Sequence, residues 1–219
     1  SQIAGSVRAP GDKSCSHRAV MMAAVAQGES TVTGLLEGED VLSTLGAFRA
    51  MGVTAQGPEN GCLTIQGVGL RGLRPPAQPL DMGNSGTAMR LMAGILAGQS
   101  FDSVLIGDES LSKRPMKRVS EPLITMGARI ETHDGGRPPL RIHGGQKLRG
   151  IEYKMPMASA QVKSCLLLAG LYADGETVVT EPAPTRDHTE RMLRGFGYEV
   201  NTDGATIRLR GGGRLTARD

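Results

Sequence analysis

Apolar and polar residues follow one plan three times along the chain. Each copy opens with a polar segment, runs into a mostly apolar stretch and closes at Gly. The stretches are Lys13-Ser14-Cys15-Ser16 through Ala26 to Gly28, Asn84-Ser85-Gly86-Thr87 through Ala97 to Gly98, and Ser159-Ala160-Gln161 through Tyr172 to Gly175. Polar N-cap types in front and Gly behind mark helix boundaries. These runs are apolar on nearly every side, so the three helices are predicted to be buried.

A short strand follows in each copy, and then a helix with one apolar face. Thr31-Val32-Thr33-Gly34 leads to a helix from about Asp40 to Met51, Ser103 to Gly107 leads to Pro115 through Met126, and Thr177 to Thr180 leads to His188 through Phe196. Val41, Leu45 and Phe48, and then Met116, Val119, Leu123 and Met126, recur at helical spacing. Pro115 suits a first turn, Pro122 is expected to kink or shorten its helix, and Asp187 with Glu190 reads as a capping box. Each copy ends in an alternating strand closed by Gly: Leu63 to Gly67, Leu140 to Gly144, Ile207 to Gly211. Alternation of period two is the mark of a half-buried strand.

The pattern predicts an α/β lobe of three units, each reading strand, buried helix, strand, amphipathic helix, paired strands. The units fall at about residues 8–80, 81–154 and 155–219, and close around their buried helices with pseudo-threefold symmetry. The plainer alternative is one α/β sheet with coincidental spacing.

Composition narrows the class. Aromatics are 3% with no Trp, so the core must rest on Leu, Ile, Val, Met and Ala. A formal net charge of +3, with no basic run interleaved with aromatics, gives no support to a nucleic-acid partner. Cys15, Cys62 and Cys165 are an odd set in dissimilar contexts. That argues against a disulfide framework or zinc site and for a reducing compartment, the cytoplasm. Apolar stretches such as Ala19 to Ala26 are too short to span a membrane, and no signal peptide precedes them.

Pseudo-threefold packing would bring the starts of the buried helices to one face. Helix starts carry unpaired N–H groups and a partial positive charge, which favour anions. Lys13, Ser14 and Arg18 stand at the first, Asn84, Ser85, Gly86, Thr87 and Arg90 at the second, and Ser159, Gln161 and Lys163 at the third. Lys113, Arg114 and Arg186 precede the amphipathic helices. Together they describe a site for a phosphate- or carboxylate-bearing ligand. Singly, each has a plainer reading: Ser as a cap, Arg90 or Lys163 as a snorkelling side chain. His17, His133, His143 and His188 form no ligand spacing, and His17 is read as neutral and structural. Glu37, Glu39 and Asp40 read as helix-start charges, and Cys15 and Cys165 as packing residues.

Five segments carry a resemblance. Pro10-Gly-Asp-Lys-Ser-Cys-Ser-His-Arg18, Gly83-Asn-Ser-Gly-Thr-Ala-Met-Arg90, Gly107 through Met116, Ser159-Ala-Gln161 and Thr185-Arg-Asp-His-Thr-Glu190 resemble, in order, the signatures of enolpyruvyl-shikimate-phosphate synthases, with a class II flavour. The resemblance implies one lobe of the inverse α/β-barrel fold, built from three βαβαββ units. It also implies transfer of the enolpyruvyl group of phosphoenolpyruvate to shikimate 3-phosphate with release of phosphate, without metal or other cofactor. By position, Lys13 would touch both substrates and act catalytically. Ser14, Arg18, Ser159, Ala160, Gln161 and Arg186 would hold shikimate 3-phosphate, and Gly86, Arg114 and Gln161 phosphoenolpyruvate. Gly86 hints at glyphosate sensitivity. Leu91, where many relatives carry Pro, and Cys15, commonly aliphatic, depart from the pattern.

The resemblance further implies a complementary C-terminal lobe, absent from these residues, that carries the acidic proton-transfer groups. The isolated lobe is therefore expected to bind substrate weakly and not to turn over. The alternatives are a lobe like that of UDP-N-acetylglucosamine 1-carboxyvinyltransferases, or a non-catalytic anion-binding module. The first normally carries Lys-Asn where Lys13-Ser14 stands here, and a Cys in the loop that runs here from Ser110 to Met116 without one.

Overall fold

The computed structural model describes residues 3–218, so the outermost residues of the predicted lobe, 1, 2 and 219, lie outside the described residues. The first unit comprises β1 (Ala4–Arg8), α1 (Lys13–Val25), β2 (Gln27–Thr33), α2 (Glu39–Ala50), β3 (Thr54–Glu59) and β4 (Cys62–Val68). The second comprises β5 (Leu80–Asp81), α3 (Gly86–Ala97), β6 (Ser103–Ile106), α4 (Glu109–Ser112), α5 (Lys117–Thr125), β7 (Arg129–His133) and β8 (Arg137–His143). The third comprises β9 (Glu152–Lys154), α6 (Ala160–Gly170), β10 (Glu176–Thr180), α7 (His188–Gly195), β11 (Asn201–Asp203) and β12 (Thr206–Arg210).

Each unit makes its own four-stranded sheet, and all three share one order: β1-β2-β4-β3, β5-β6-β8-β7 and β9-β10-β12-β11. The first pair in each is parallel and the others antiparallel. The single-sheet alternative is thereby excluded. Helices α1, α3 and α6 form the core, and their buried residues include nearly every position after the first turn. Close packing of α3 on α6 depends on Gly94, where a Cβ would stand 2.4 Å from the Cys165 carbonyl oxygen. The strands alternate, as in β8, one side turned to the core and the other to solvent.

The repeated glycines have physical causes. Gly52, Gly127 and Gly197, just past α2, α5 and α7, have φ of 92°, 111° and 82°, a left-handed turn that other residues enter at a cost. Gly67, Gly144 and Gly211 end the central antiparallel strands, where a Cβ would come within 2.1, 2.2 and 1.8 Å of Ala26, Phe101 and Ala173 carbonyl oxygens. The linkers repeat as well. Arg74, Arg149 and Thr216 each donate a backbone N–H, at 2.8 Å, to the carbonyl of Met51, Met126 and Phe196 at the end of the same unit's helix. Arg149 then bridges Asp174 of the third unit, and Thr216 returns to bridge Gln27 of the first. The ring of three is closed by the last described residues.

Two predicted elements differ in detail. The helix expected from Pro115 to Met126 is α5, which starts only at Lys117 because the Met116 N–H goes to the Gly136 carbonyl at 2.8 Å, and an unpredicted short helix, α4, precedes Pro115. Pro122 lies inside α5, which is short at nine residues. The Asp187 side chain caps nothing, so the capping box is absent; Glu190 reaches instead to Lys163.

Candidate anion site at three helix starts

The start of α1 is fixed by Asp12, whose Oδ1 accepts the Cys15 N–H at 3.1 Å. That bond, with help from the charges of Arg186 and His188, holds the Asp12 carboxyl below its usual range against the opposing effect of burial. Its other oxygen lies 3.4 Å from Arg186 Nη1. Lys13 projects outward and pairs with Asp40 at the start of α2, 2.8 Å away. The Asn84 amide, turned to donate, stands 2.6 and 3.1 Å from the two Asp40 oxygens. Arg18 is buried, and its guanidinium donates to the Ser14 hydroxyl, to Thr189 Oγ1 at 2.8 Å and to Ser164 Oγ at 2.9 Å. It ties α1 to α6 and α7 from a buried position behind Ser14.

His17 joins the same face from within. Its Nδ1 is 2.8 Å from Thr44 Oγ1 on α2, and its Nε2 is 3.4 Å from Ser85 Oγ. Ser85 in turn caps α3 by accepting the Ala88 N–H at 3.0 Å. Burial pushes the imidazole down from 6.5 to about 4, so it is neutral at ordinary pH, as the sequence suggested.

The second and third helix starts face each other across a cleft of 640 Å³. Arg90, Arg114, Lys117 and Arg118 line one side, Ser159, Ala160 and Gln161 the other, and among the described residues no carboxylate lines it. Gln161 is held at both ends: Arg90 Nη1 donates to its Oε1 at 2.7 Å, and its Nε2 donates to Thr87 Oγ1 at 2.8 Å. Gly86 opens α3 beneath the guanidiniums, where a Cβ would stand 2.6 Å from Arg90 Nη1 and 2.7 Å from Arg114 Nη1. Burial first, then the charges of Arg114 and Arg118, hold the Arg90 guanidinium below its usual value. A crowd of cations without counter-charge is a place where an anion gains several charge-assisted hydrogen bonds. Ser159 caps α6 by accepting the Val162 N–H at 3.2 Å.

The fold thus brings Lys13, Ser14, Gly86, Arg114, Ser159, Ala160, Gln161 and Arg186 to one side of the core, linked by the contacts above. One expectation fails: Lys163 is not at the surface of the site. It is 1% exposed and held by Glu181 and Glu190. The sequence reading also missed the partners. Asp12 and Asp40 neutralise Arg186 and Lys13, and Lys117 and Arg118 extend the cleft. Asp12 could have been found, since Asp three residues before a helical N–H is a standard cap. Asp40 could not, because only the fold brings α2 beside Lys13. Among the described residues one trio could gather a metal ion: Asp12, Cys15 and His188, whose donor atoms lie within 4.8 Å of one another. Both Asp12 oxygens are already engaged by the helix start and Arg186, and burial raises the Cys15 thiol.

Three sheets around three core helices, with a cation-lined cleft between the starts of α3 and α6, define an α/β lobe with a candidate anion site. The family described as EPSP synthase (3-phosphoshikimate 1-carboxyvinyltransferase) matches residues 1–219, and the chain belongs to it. A 3-phosphoshikimate 1-carboxyvinyltransferase of Hydrogenovibrio crunogenus is 64% identical over 99% of the chain and 50% of its own length. One from Halorhodospira halophila is 65% identical over 96% of the chain and 48% of its own length. The solved EPSP synthase of Acinetobacter baumannii superposes with a TM-score of 0.93 at 61% identity, covering 99% of this chain and 49% of that one. The chain spans about half the length of the relatives it matches. No helix among the described residues is long and apolar enough to cross a membrane.

Proposed function

We propose that the chain is the N-terminal lobe of an enolpyruvyl transferase that moves the enolpyruvyl group of phosphoenolpyruvate to the 5-hydroxyl of shikimate 3-phosphate, releasing phosphate. The observation that carries this reading is the acid-free cleft between the starts of α3 and α6, lined by four cations. Ser159, Ala160 and Arg186 hold the phosphate of shikimate 3-phosphate, and Ser14 and Arg18 its ring and carboxylate. Gln161 lies between the substrates, and Gly86 with Arg114 bounds the phosphoenolpyruvate pocket that glyphosate would share. Lys13 exchanges Asp40 for the substrates and stabilises negative charge that develops during addition and elimination. A complementary C-terminal lobe closes the cleft and supplies proton transfer, and the assembled enzyme works in a reducing cytoplasm.

The test is titration of the 219-residue chain with shikimate 3-phosphate, followed by NMR. Weak saturable binding is expected, with shifts at Ser14, Ser159–Gln161 and Arg186 and no turnover until a C-terminal lobe is added. Arg186→Ala should weaken shikimate 3-phosphate far more than phosphoenolpyruvate. Equal losses, or binding of UDP-N-acetylglucosamine in its place, would overturn the assignment.

A further inference from the structure

Lys163 is an unusual residue to find in the core of this lobe. It lies on α6, four residues after the Ser159 cap, and is almost completely buried. An ammonium has three protons to donate. Three oxygens surround this one: Glu181 Oε1 at 3.2 Å, Glu190 Oε2 at 3.1 Å and the backbone carbonyl of Arg186 at 3.0 Å. Both glutamates are themselves buried. Glu181 also accepts the Thr185 hydroxyl, and Thr189, next to Glu190, bonds Ser164 Oγ at 2.6 Å and Arg18 Nε at 2.8 Å.

Burying such a set is a poor route to stability, because desolvation offsets most of the attraction and apolar residues of the same volume often do as well. What the set does achieve is geometric. The segment between β10 and α7 has no regular secondary structure and carries Arg186, whose side chain is 70% exposed and, among the described residues, pairs with Asp12 alone. Lys163 grips that segment from below, at the Arg186 carbonyl and through Glu181 and Glu190 at either end. The anchor stands one helical turn beneath Ser159 and Ala160.

We propose that Lys163, with Glu181 and Glu190, is a positioning residue for the anion site: it fixes the distance between the start of α6 and Arg186, and so pre-forms a two-sided phosphate cradle. The inference rests on the reading of Arg186 as a phosphate ligand. Lys163 touches no ligand; it acts through Arg186 by holding that residue's backbone, so an incoming phosphate does not have to order the segment.

The test is the Lys163→Met/Glu181→Gln/Glu190→Gln triple variant, which keeps the volumes and removes the charges together, made with and without Arg186→Ala. Backbone ¹⁵N order parameters at Thr185 and Arg186 report on the anchor without any ligand, and shikimate 3-phosphate titration reports on the cradle. The triple variant is expected to remain folded, with order parameters at Thr185 and Arg186 falling below about 0.6. Affinity for shikimate 3-phosphate should drop about tenfold where Arg186 is present and less than about twofold where it is Ala, since the two act as one unit. Unchanged order parameters would overturn the anchor. Equal losses of affinity in both backgrounds would make Lys163 a general stabiliser and overturn the positioning role. If the unsubstituted chain fails to bind shikimate 3-phosphate, the functional reading falls, and the order parameters alone decide whether Lys163 holds the segment.

Discussion

Arg90 and Lys163 occupy the early turns of two packed core helices, and in sequence both look like cations that belong to the site. Their surroundings set them apart. Arg90 meets Gln161 and two further cations at the edge of an open cleft, while Lys163 meets two carboxylates and a carbonyl in the core. A cation left without counter-charge is available to a ligand, and one that is fully satisfied is available only to the fold. The segment that follows β10 and the start of α7 make the difference, because they deliver Glu181 and Glu190 to one helix, and among the described residues no carboxylate pairs with Arg90.

The largest expected effect separates the two directly. Lys163→Met alone leaves two buried carboxylates facing each other and should cost about 3–5 kcal/mol of stability, whereas Arg90→Met should stay within about 1 kcal/mol. Urea denaturation of both variants checks this, and similar losses would erase the contrast. Next comes His17, which is buried neutral. The unfolded chain takes up its proton below about pH 6.5, the folded chain only below about pH 4. Its contribution is therefore complete above pH 6.5 and should fade by about 3 kcal/mol as the pH drops to 4. Stability measured at pH 7.5 and 4.5 should differ less in His17→Gln than in the parent, and an equal difference would remove His17 as the cause.

Smaller effects probe the open side. Gly86→Ala would push the ends of Arg90 and Arg114 aside, and flexible ends yield, so folding should hardly change. Affinity for phosphoenolpyruvate, followed by NMR titration, should fall about tenfold; undiminished binding would mean these guanidiniums do not make the contact. Asp12→Ala should cost about 1 kcal/mol through loss of the α1 cap, seen as a shift in the urea midpoint. A shift of zero would show that the helix start is held by its neighbours instead.

Much of this architecture was legible because the repeat writes it in glycines. Gly52, Gly127 and Gly197 mark left-handed turns, and Gly67, Gly144 and Gly211 mark backbone close approaches, so their recurrence follows from geometry. The leading strands β1, β5 and β9 are short and mostly polar, and nothing in Leu80-Asp81 alone announces a strand. The site was legible at the helix starts, where local chemistry decides caps and charges. What sequence could not supply were partners from distant units: Asp40 for Lys13, Thr189 for Arg18, and the glutamates that withdraw Lys163 from the cleft. The failed capping box shows the same limit, since Glu190 had a stronger partner in the core than at its own helix start.

The linker that returns to the first unit has a consequence for the order of assembly. The Ser6 N–H donates to the Arg218 carbonyl at 3.0 Å, so the outer edge of β1 is paired from beyond the last strand of the third unit, and the Ala217 N–H donates to the Gln27 carbonyl at the start of β2 at 2.9 Å. Gly5 admits that neighbour, since a Cβ there would lie 2.2 Å from the Arg218 backbone nitrogen. During synthesis the edge of β1 stays open until the second and third units have both been made. An open edge invites pairing with other chains, and closing so long a loop slows folding. Of the three units, the first to be synthesised is thus the last to be completed.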